Sequence, residues 1–233
     1  MNVLAVGAHP DDLEILCAGT LAKYAARGDR VTMAVATNGE VGSATLSKAE
    51  IAAIRRREAE ASARVIGADL VWMNYPDEFL FSNAETRLEF LNLVRSVRPD
   101  IVLAHGPTDY HPDHRTSGGI LWDIRVMTTV PNIKTEAPPS ARIPEILYMD
   151  TIAGIEFAPE YYVDVTDVFE KKKEMLACHK SQAAWLEDQY QMSYIEFIEH
   201  TARYRGLQCG VRYAECFGSS PTWPKWSRAS LLP

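Results

Sequence analysis

Two short clusters of histidine and aspartate contain the residue types that bind metal ions and move protons. The first is His9-Pro10-Asp11-Asp12, and the second is Asp109-Tyr110-His111-Pro112-Asp113-His114. Two imidazoles and one carboxylate, with one coordination position left open, form a common catalytic zinc site. We therefore predict that His9, Asp12 and His114 bind one Zn²⁺ per chain, or another divalent metal in its place.

Helix capping is the alternative explanation for these aspartates. An aspartate at a helix start accepts hydrogen bonds from main-chain N–H groups, and for Asp12 or Asp113 taken alone this is the better explanation. Each cluster, however, follows a predicted strand. Ligands bind at the carboxyl edge of open α/β sheets, so the two clusters together favour a metal site.

The remaining groups of the clusters suit proton transfer. Asp11 is predicted to accept a proton from an attacking water. A solvated carboxylate favoured by the helix dipole is the alternative. His111 is predicted to stabilise an oxyanion or to protonate a leaving amine. Asp113 is predicted to orient that imidazole, with a helix cap again as the alternative.

An alternation of strands and helices positions both clusters. The predicted strands of the first half are 2–8, 30–37, 70–73 and 101–104, and the predicted helices are 13–28, 47–66, 84–97 and 113–127. Ser47 and Glu50 have the spacing of a capping box. The pattern predicts an α/β, Rossmann-like fold with a mainly parallel sheet and helices on both faces.

The second half of the chain is less regular, and no domain boundary is visible. Residues 128–142 are predicted to form a flexible loop that shapes the entrance of the site. The other predicted elements are strands at 146–149 and 161–165, helices at 167–179 and 185–205, and an irregular tail at 219–233. A single domain spanning 1–233 is expected, because 233 residues suit one large core.

Composition excludes several classes of protein. The net charge of −7 argues against nucleic acid as a partner. No stretch approaches the roughly 20 apolar residues of a membrane span, and no basic region precedes the first apolar run, as a signal peptide would require. The four cysteines form no CxxC pair, which indicates reduced thiols and a cytoplasmic protein.

Several motifs resemble, in combination and in order, the LmbE/PIG-L family of zinc-dependent N-deacetylases. They are AHPDDLE, CAGTLAKYAARGDRV, TNGEVGS, RRREAEASARVIGA, NYPD and DYHPDHR, and the closing RGLQCGVRYAECF is similar to a C-terminal motif of bacterial members. The resemblance covers most of the chain. It implies an enzyme that removes an acetyl group from an N-acetylated amino sugar, of the N-acetylglucosamine type, or its conjugate by attack of a zinc-bound water.

The resemblance also implies roles for single residues. His9, Asp12 and His114 match the zinc ligands, Asp11 the general base, and His111 the residue that stabilises the oxyanion.

Three further residues are implied to contact the substrate. Arg55 lies where some members use an arginine on the substrate, and the alternative for it is a solvated helix face. Asp77 of NYPD matches a carboxylate that contacts the substrate. The mycothiol-type enzymes have a tyrosine two residues before the histidine matched by His111. Here that position is Asp109, and the adjacent Tyr110 is the third residue implied to contact the substrate.

Three histidines are assigned neither to the predicted ligand set nor to proton transfer. His105 closes the fourth strand and is expected to lie behind the metal ligands, whereas His179 and His200 are expected in surface or capping positions on helices.

Two other functions are compatible with the sequence. His/Asp clusters also serve metal-dependent phosphoesterases, which use two metals and more cationic groups. A metal- or sugar-binding protein without turnover is the third possibility. Related bacterial enzymes often form hexamers, so a homo-oligomer is expected.

Overall fold

The structure is a computed structural model that describes residues 1–191, 193–224 and 232–233. Its strands are β1 (Asn2–Gly7), β2 (Arg30–Thr37), β3 (Asp69–Tyr75), β4 (Ile101–Ala104), β5 (Glu145–Met149), β6 (Tyr161–Asp164) and β7 (Ala214–Ser219). Its α-helices over those residues are α1 (Asp12–Leu16), α2 (Ala18–Ala26), α3 (Lys48–Val65), α4 (Ala84–Val97), α5 (Pro112–Ile124), α6 (Phe169–Leu176), α7 (Lys180–Tyr190) and α8 (Tyr194–Cys209).

The strands form one sheet in the order β3-β2-β1-β4-β5-β7-β6. The five strands β1 to β5 pair in parallel. β7 runs antiparallel to both of its neighbours, β5 and β6. The prediction of a single α/β domain with a mainly parallel sheet is therefore confirmed.

Hydrophobic cores cover both faces of the sheet. Successive residues of β1 point to opposite faces: Val3 belongs to a core that includes residues of α1, α2, α6 and α8, and Leu4 to one that includes residues of α4 and α5. This alternation explains why β1 is buried along nearly its whole length. No helix within the described stretches is both long and apolar enough to cross a membrane.

The capping box predicted from Ser47 and Glu50 is present. The Ser47 side chain accepts from the Glu50 main-chain N–H, and the Glu50 carboxylate accepts from the Ser47 N–H at 3.0 Å. α3 consequently begins at Lys48 and runs for 18 residues. It positions Arg55, which is 4 % exposed, towards the end of β1.

The first predicted helix is interrupted, which the sequence pattern does not indicate. Cys17, with φ −145° and ψ 9°, separates α1 from α2. The Glu215 carboxylate on β7 accepts from the main-chain N–H groups of Gly19 at 2.9 Å and Thr20 at 2.7 Å. These first N–H groups of α2 have no acceptor inside the helix, so Glu215 caps it from the far end of the chain.

Two further predictions for the second half are corrected. The helix expected at 185–205 is two helices, α7 and α8. A strand that the sequence did not predict, β7, comes just before the expected tail and includes its first residue, Ser219. In the sheet, β7 lies between β5 and β6. Part of that tail, residues 225–231, lies outside the described residues.

The proline-rich segment 128–142 is held to the body of the protein at its start. Arg95 of α4 is 1 % exposed, and its guanidinium donates to the carbonyl groups of residues 127, 128, 130 and 133 and to the Thr135 hydroxyl. One guanidinium thus provides donors to four oxygens of the segment and to the carbonyl just before it, a geometry that a lysine cannot reproduce.

The close approach of α5 to the end of β4 generates a prediction about stability. A Cβ at Gly118 would lie 2.1 Å from the His105 carbonyl oxygen, whereas a Cβ at Gly119 would meet nothing within 4 Å. We expect Gly118→Ala to lower the free energy of unfolding by about 1–3 kcal/mol, because α5 must move away from β4. The matched control Gly119→Ala should be neutral or stabilise by about 0.5–1 kcal/mol. Urea denaturation of both variants measures this, and equal effects would contradict the proposed close packing.

Candidate metal centre

The carboxyl ends of β1 and β4 bring the two histidine–aspartate clusters together. The strands pair in parallel with Val6 opposite Ala104, so the residues after each strand emerge side by side. The Ala8 N–H donates to His105 Nε2 at 3.1 Å across this junction. The first cluster then leads into α1, and the second leads into α5, whose N-cap is His111. The predicted convergence of the clusters is therefore present.

Three groups face one another at this edge, and they are the three predicted metal ligands. His9 Nδ1 lies 3.3 Å from His114 Nε2 and 3.4 Å from Asp12 Oδ2. Asp12 Oδ1 lies 3.3 Å from His114 Nε2. Ligand atoms about 2.0–2.1 Å from a tetrahedral zinc ion are separated from one another by about 3.3–3.4 Å. The two distances to Asp12 belong to different oxygens of its carboxylate, and the three side chains are close enough to share a single metal ion.

The opposite nitrogen of each ligand imidazole faces a carboxylate. His9 Nε2 lies 3.4 Å from Asp77 Oδ1 and 3.4 Å from Asp113 Oδ2. His114 Nδ1 lies 3.2 Å from Asp109 Oδ2. Metal-binding histidines characteristically direct their second nitrogen at a carboxylate, which fixes the ring orientation and makes the first nitrogen a better ligand. This second feature of the donor set also fits a metal.

The electrostatic field of the cluster favours a cation. Burial disfavours a charged imidazole, yet the Asp12 carboxylate outweighs it and raises the pKa of His9 to about 10 and that of His114 to about 9. Burial opposes ionisation of Asp12 as well, but the neighbouring imidazoles hold its pKa well below the usual range. The site therefore binds protons when it holds no other cation, and a metal ion would displace them.

His105 lies behind the ligands, where the sequence placed it. Its ring stacks on that of His114, with centroids 3.9 Å apart, and its Nε2 lies 3.1 Å from Asp12 Oδ2. Burial, reinforced by the charge of His114, lowers the pKa of His105 to about 4. Other groups also have ligand atoms within 4.8 Å of one another: Asp12, His105 and His114; His9, His111 and His114; and His9, Asp77 and Glu78. Each of these groups shares at least one residue with the predicted ligand set.

Asp11, the predicted base, has an unusual backbone conformation and buried hydrogen-bond partners. Its φ of 125° lies in the region that favours glycine, a strain typical of functional residues. Its carboxylate accepts from the Tyr194 hydroxyl at 2.6 Å and from Arg55 at 3.1 Å. Burial raises the pKa of Asp11, although the charge of Arg55 opposes the rise. Arg55 is thus buried against the predicted base, which excludes the alternative of a solvated helix face.

His111 has one nitrogen fixed and the other available as a donor. Its Nδ1 accepts from the Asp113 main-chain N–H at 3.3 Å, so Nδ1 carries no proton. Its Nε2, 3.3 Å from Glu78 Oε1, then holds the single proton of a neutral ring. Burial, followed by the positive charge of His9, lowers the pKa of His111 and favours this neutral form.

The role predicted for the Asp113 side chain is corrected by these contacts. The main chain of Asp113, not its carboxylate, orients His111. The carboxylate accepts from the main-chain N–H groups of Glu78 at 2.8 Å and Leu80 at 3.3 Å, and it faces His9. It therefore joins the loop after β3 to the ligands.

A cavity of about 340 Å³ opens onto the cluster. Most of the residues that line it carry polar or charged groups, including Arg55, Asp77 and Tyr110. Asp77 also accepts from the Thr37 hydroxyl and the Val41 N–H, both at 3.3 Å, and so anchors the loop after β2. Among the residues the structure describes, those lining this cavity include none from 128–142. The second half of the chain contributes instead Ile152, Tyr194 and residues of α7 to the lining.

Sequence reasoning missed three buried residues of this region. Asp109 and Tyr194 contact His114 and Asp11 respectively. His179 was expected on a surface or cap but is fully buried, 3.3 Å from Glu14 Oε1. The sequence gives no local signal for Tyr194 or His179, whose partners are distant along the chain, whereas Asp109 lies inside the DYHPDHR motif but was assigned no role. His200 is exposed, as expected.

Comparison with known proteins identifies relatives of the whole chain. Diacetylchitobiose deacetylase of Thermococcus kodakarensis is 30 % identical over 232 residues, which cover 92 % of this chain and 81 % of the relative. The structure of N,N'-diacetylchitobiose deacetylase from Pyrococcus horikoshii matches with a TM-score of 0.83 and 32 % identity, covering 94 % of this chain and 83 % of that one. A 4-oxalmesaconate hydratase of Pseudomonas putida is 25 % identical, covering 89 % of this chain and 80 % of the relative.

The profile of one protein family also matches. It is PIG-L, described as GlcNAc-PI de-N-acetylase, and it covers residues 4–124, from β1 to the end of α5 and thus both clusters. This match and the relatives confirm the resemblance seen in the sequence, and the chain belongs to the PIG-L family.

Proposed function

We propose that this protein is a metal-dependent hydrolase that removes the acetyl group from an N-acetylated amino sugar or its conjugate. The observation that carries the proposal is the arrangement of His9, Asp12 and His114 at 3.3–3.4 Å, with Asp11 and His111 on the same cavity but outside this ligand set. The relatives named as deacetylases support the same chemistry. Zn²⁺ is the metal that this donor set suits best. A cytoplasmic location and a homo-oligomer, of the hexameric kind that related bacterial enzymes often form, stay predictions from the sequence.

The residues of the chain have separate tasks in this reaction. A divalent cation at the three ligands supplies Lewis acidity to water and to the acyl carbonyl. Asp11 accepts the proton that the attacking water loses, and burial, by raising its pKa, makes it a stronger base. The proton that Asp11 has accepted is then available to protonate the leaving nitrogen of the amide. The neutral His111 directs Nε2–H at the oxygen on which negative charge develops. Acetate and a free amine result.

The charges of the cavity argue against a phosphoesterase. Four carboxylates line it, from Asp11, Asp12, Asp77 and Glu78, whereas Arg55 is its one guanidinium among the described lining residues. Arg55 is already paired with Asp11. A phosphate ester would therefore meet net negative charge, but an N-acetyl sugar is neutral and its hydroxyl groups can donate to these carboxylates.

A substrate screen tests the proposal directly. We expect metal-loaded protein to release acetate from N-acetylglucosamine conjugates, chitooligosaccharides or N-acetyl thiol-sugar precursors, and we expect a chelator to abolish the release. Acetate is measured enzymatically and the free amine by fluorescamine. Phosphate release from sugar phosphates without acetate release would favour the phosphoesterase. Addition of water to a carbon–carbon double bond, the chemistry of a hydratase, releases neither product and would also count against the proposal.

The ligand assignment predicts opposite behaviour for two histidines of one helix turn. His114→Ala should lose the metal, because it removes a donor from the tetrahedral set. His111→Ala should keep the metal and lower kcat/KM by about 10²–10³, the effect of losing one oxyanion donor. Metal analysis of the two purified variants, alongside activity, measures this. Metal loss in His111→Ala with retention in His114→Ala would reverse the assignment.

The pKa shifts predict the shape of the pH profile. Asp11 works as a base only when ionised, so activity is lost as the pH falls through its raised pKa. His111 works as a neutral donor, and its lowered pKa keeps it neutral above that limb. We therefore expect kcat/KM to rise to a plateau through an acidic limb that Asp11→Asn abolishes, with a loss of about 10²–10⁴ at the plateau.

The control for this profile is metal occupancy at each pH, because protonation of ligand histidines also releases metal. His111→Ala should lower the plateau without moving the acidic limb. A basic limb that disappears in His111→Ala would show instead that His111 acts in its protonated form.

A further inference from the structure

A second cavity, of about 490 Å³, adjoins the cavity of the metal centre. We call it the apolar chamber and define it by the residues that line it, which are Ile15, Tyr110, Ile152, Ala153, Leu186, Tyr194 and Phe197. Five of these seven also line the cavity at the metal ligands, and the two that do not are Ala153 and Phe197. The chamber and the catalytic cavity are therefore continuous.

The two cavities differ in the chemistry of their walls. Arg55, Asp77, Glu78 and Gln182 line the catalytic cavity but not the chamber. Aliphatic and aromatic side chains line the chamber, and among its seven described lining residues the side-chain polar groups are the hydroxyls of two tyrosines. The Tyr194 hydroxyl already donates to Asp11 at 2.6 Å. Sugar hydroxyl groups need polar partners, so the sugar belongs to the catalytic cavity and not to the chamber.

The wall of the chamber beside Ile152 is fixed in place. Residues 152–154 form a short 3-10 turn in which Ala153 has φ 59° and Gly154 has φ 71°. The preceding Asp150 receives two hydrogen bonds from Arg205 of α8, at 2.7 and 2.9 Å. A bidentate guanidinium–carboxylate pair of this kind holds its partners in one geometry. This wall of the chamber is thus preformed, which lowers the cost of binding a ligand against it.

We propose that the chamber binds an N-acyl chain longer than acetyl. The inference rests on the proposed hydrolase function and extends its substrate class to N-acylated amino sugars. In an amide the acyl chain and the nitrogen leave the carbonyl carbon in different directions. With the sugar on the polar side and the carbonyl at the metal centre, the acyl chain enters the chamber through Ile15 and Tyr194.

The size of the chamber supports this occupant. The methyl group of an acetyl is about the size of a water molecule, whose share of liquid volume is about 30 Å³. A chamber of about 490 Å³ is far larger. The same bonds form and break as with an acetyl group. The oxygen of water bonds to the acyl carbon, the C–N bond breaks, and the nitrogen takes the proton. A fatty acid replaces acetate as the product.

The decisive experiment compares acyl chains of increasing length on one amine. N-acetyl-, N-butyryl-, N-hexanoyl- and N-octanoylglucosamine are incubated with metal-loaded protein, and the release of glucosamine is measured. Each buried methylene contributes at most about a fourfold gain. We expect kcat/KM to rise at least tenfold from N-acetyl to N-hexanoyl. Hydrolysis of the N-acetyl compound without any gain for longer chains would overturn the chamber assignment and leave the proposed hydrolase intact.

Two variants of α8 link the gain to the chamber. Phe197→Gln places a polar group in the chamber wall and should reduce the ratio of N-hexanoyl to N-acetyl kcat/KM by at least fivefold. The matched control is Ile195→Gln, at a half-buried position of the same helix that lines neither cavity. Its ratio should equal that of the parent protein. Both substrates are measured on the same preparation of each variant. A partial loss of folded protein therefore lowers both rates equally and leaves their ratio unchanged. Equal ratios in both variants would overturn the assignment.

A binding measurement decides the inference even if no turnover is found. Octanoate and acetate are titrated calorimetrically into the metal-loaded protein, and we expect octanoate to bind at least tenfold more tightly. Equal affinities would overturn the inference. Failure of every N-acyl compound to react would count against the hydrolase function instead, with the titration still reporting on the chamber. A gain for octyl N-acetylglucosaminide, but not for N-octanoylglucosamine, would assign the chamber to an apolar aglycone and overturn the acyl assignment.

Discussion

Parallel pairing of β1 with β4 is the constraint on which the candidate site depends. The two strands are separated by about a hundred residues, yet their register places Val6 opposite Ala104. The segments that carry the proposed metal ligands leave the sheet just beyond that pair. Because side chains alternate between the faces of a strand, a register shift of one residue would turn the core residues of β4 to the wrong face. The apolar cores on both sides of the sheet therefore also fix the geometry of the ligands.

The sequence contains the local part of this arrangement. β2, α4 and β4 begin and end where the pattern predicts, and the Ser47–Glu50 capping box is present, because propensity, periodicity and capping act between near neighbours. The ligand set is also local in origin, since each cluster lies beside the end of one strand. Family resemblance added the distinction between ligands and proton-transfer residues, which spacing alone leaves open.

The remainder depends on partners that are distant along the chain. The break at Cys17 follows from Glu215, and the direction of the Asp11 side chain follows from Tyr194, 183 residues later. In β7, Glu215 lies beside the apolar residues Ala214, Cys216 and Phe217. The charge of Glu215 obscures the sequence pattern of a buried strand. His179 resembles a surface histidine until Glu14 is placed beside it. Such residues are identified only when the fold supplies their neighbours.

The position of β7 leaves two strands without a partner while the protein is being synthesised on the ribosome. β6 is synthesised about 50 residues before β7, yet it joins the sheet only through β7. At about 5–20 residues per second, several seconds pass between the two strands. During that time the outer edge of β5 and the whole of β6 lack their partner in the nascent chain. Unpaired edges of this kind promote aggregation, so this interval is the stage at which a molecular chaperone would protect the chain most effectively.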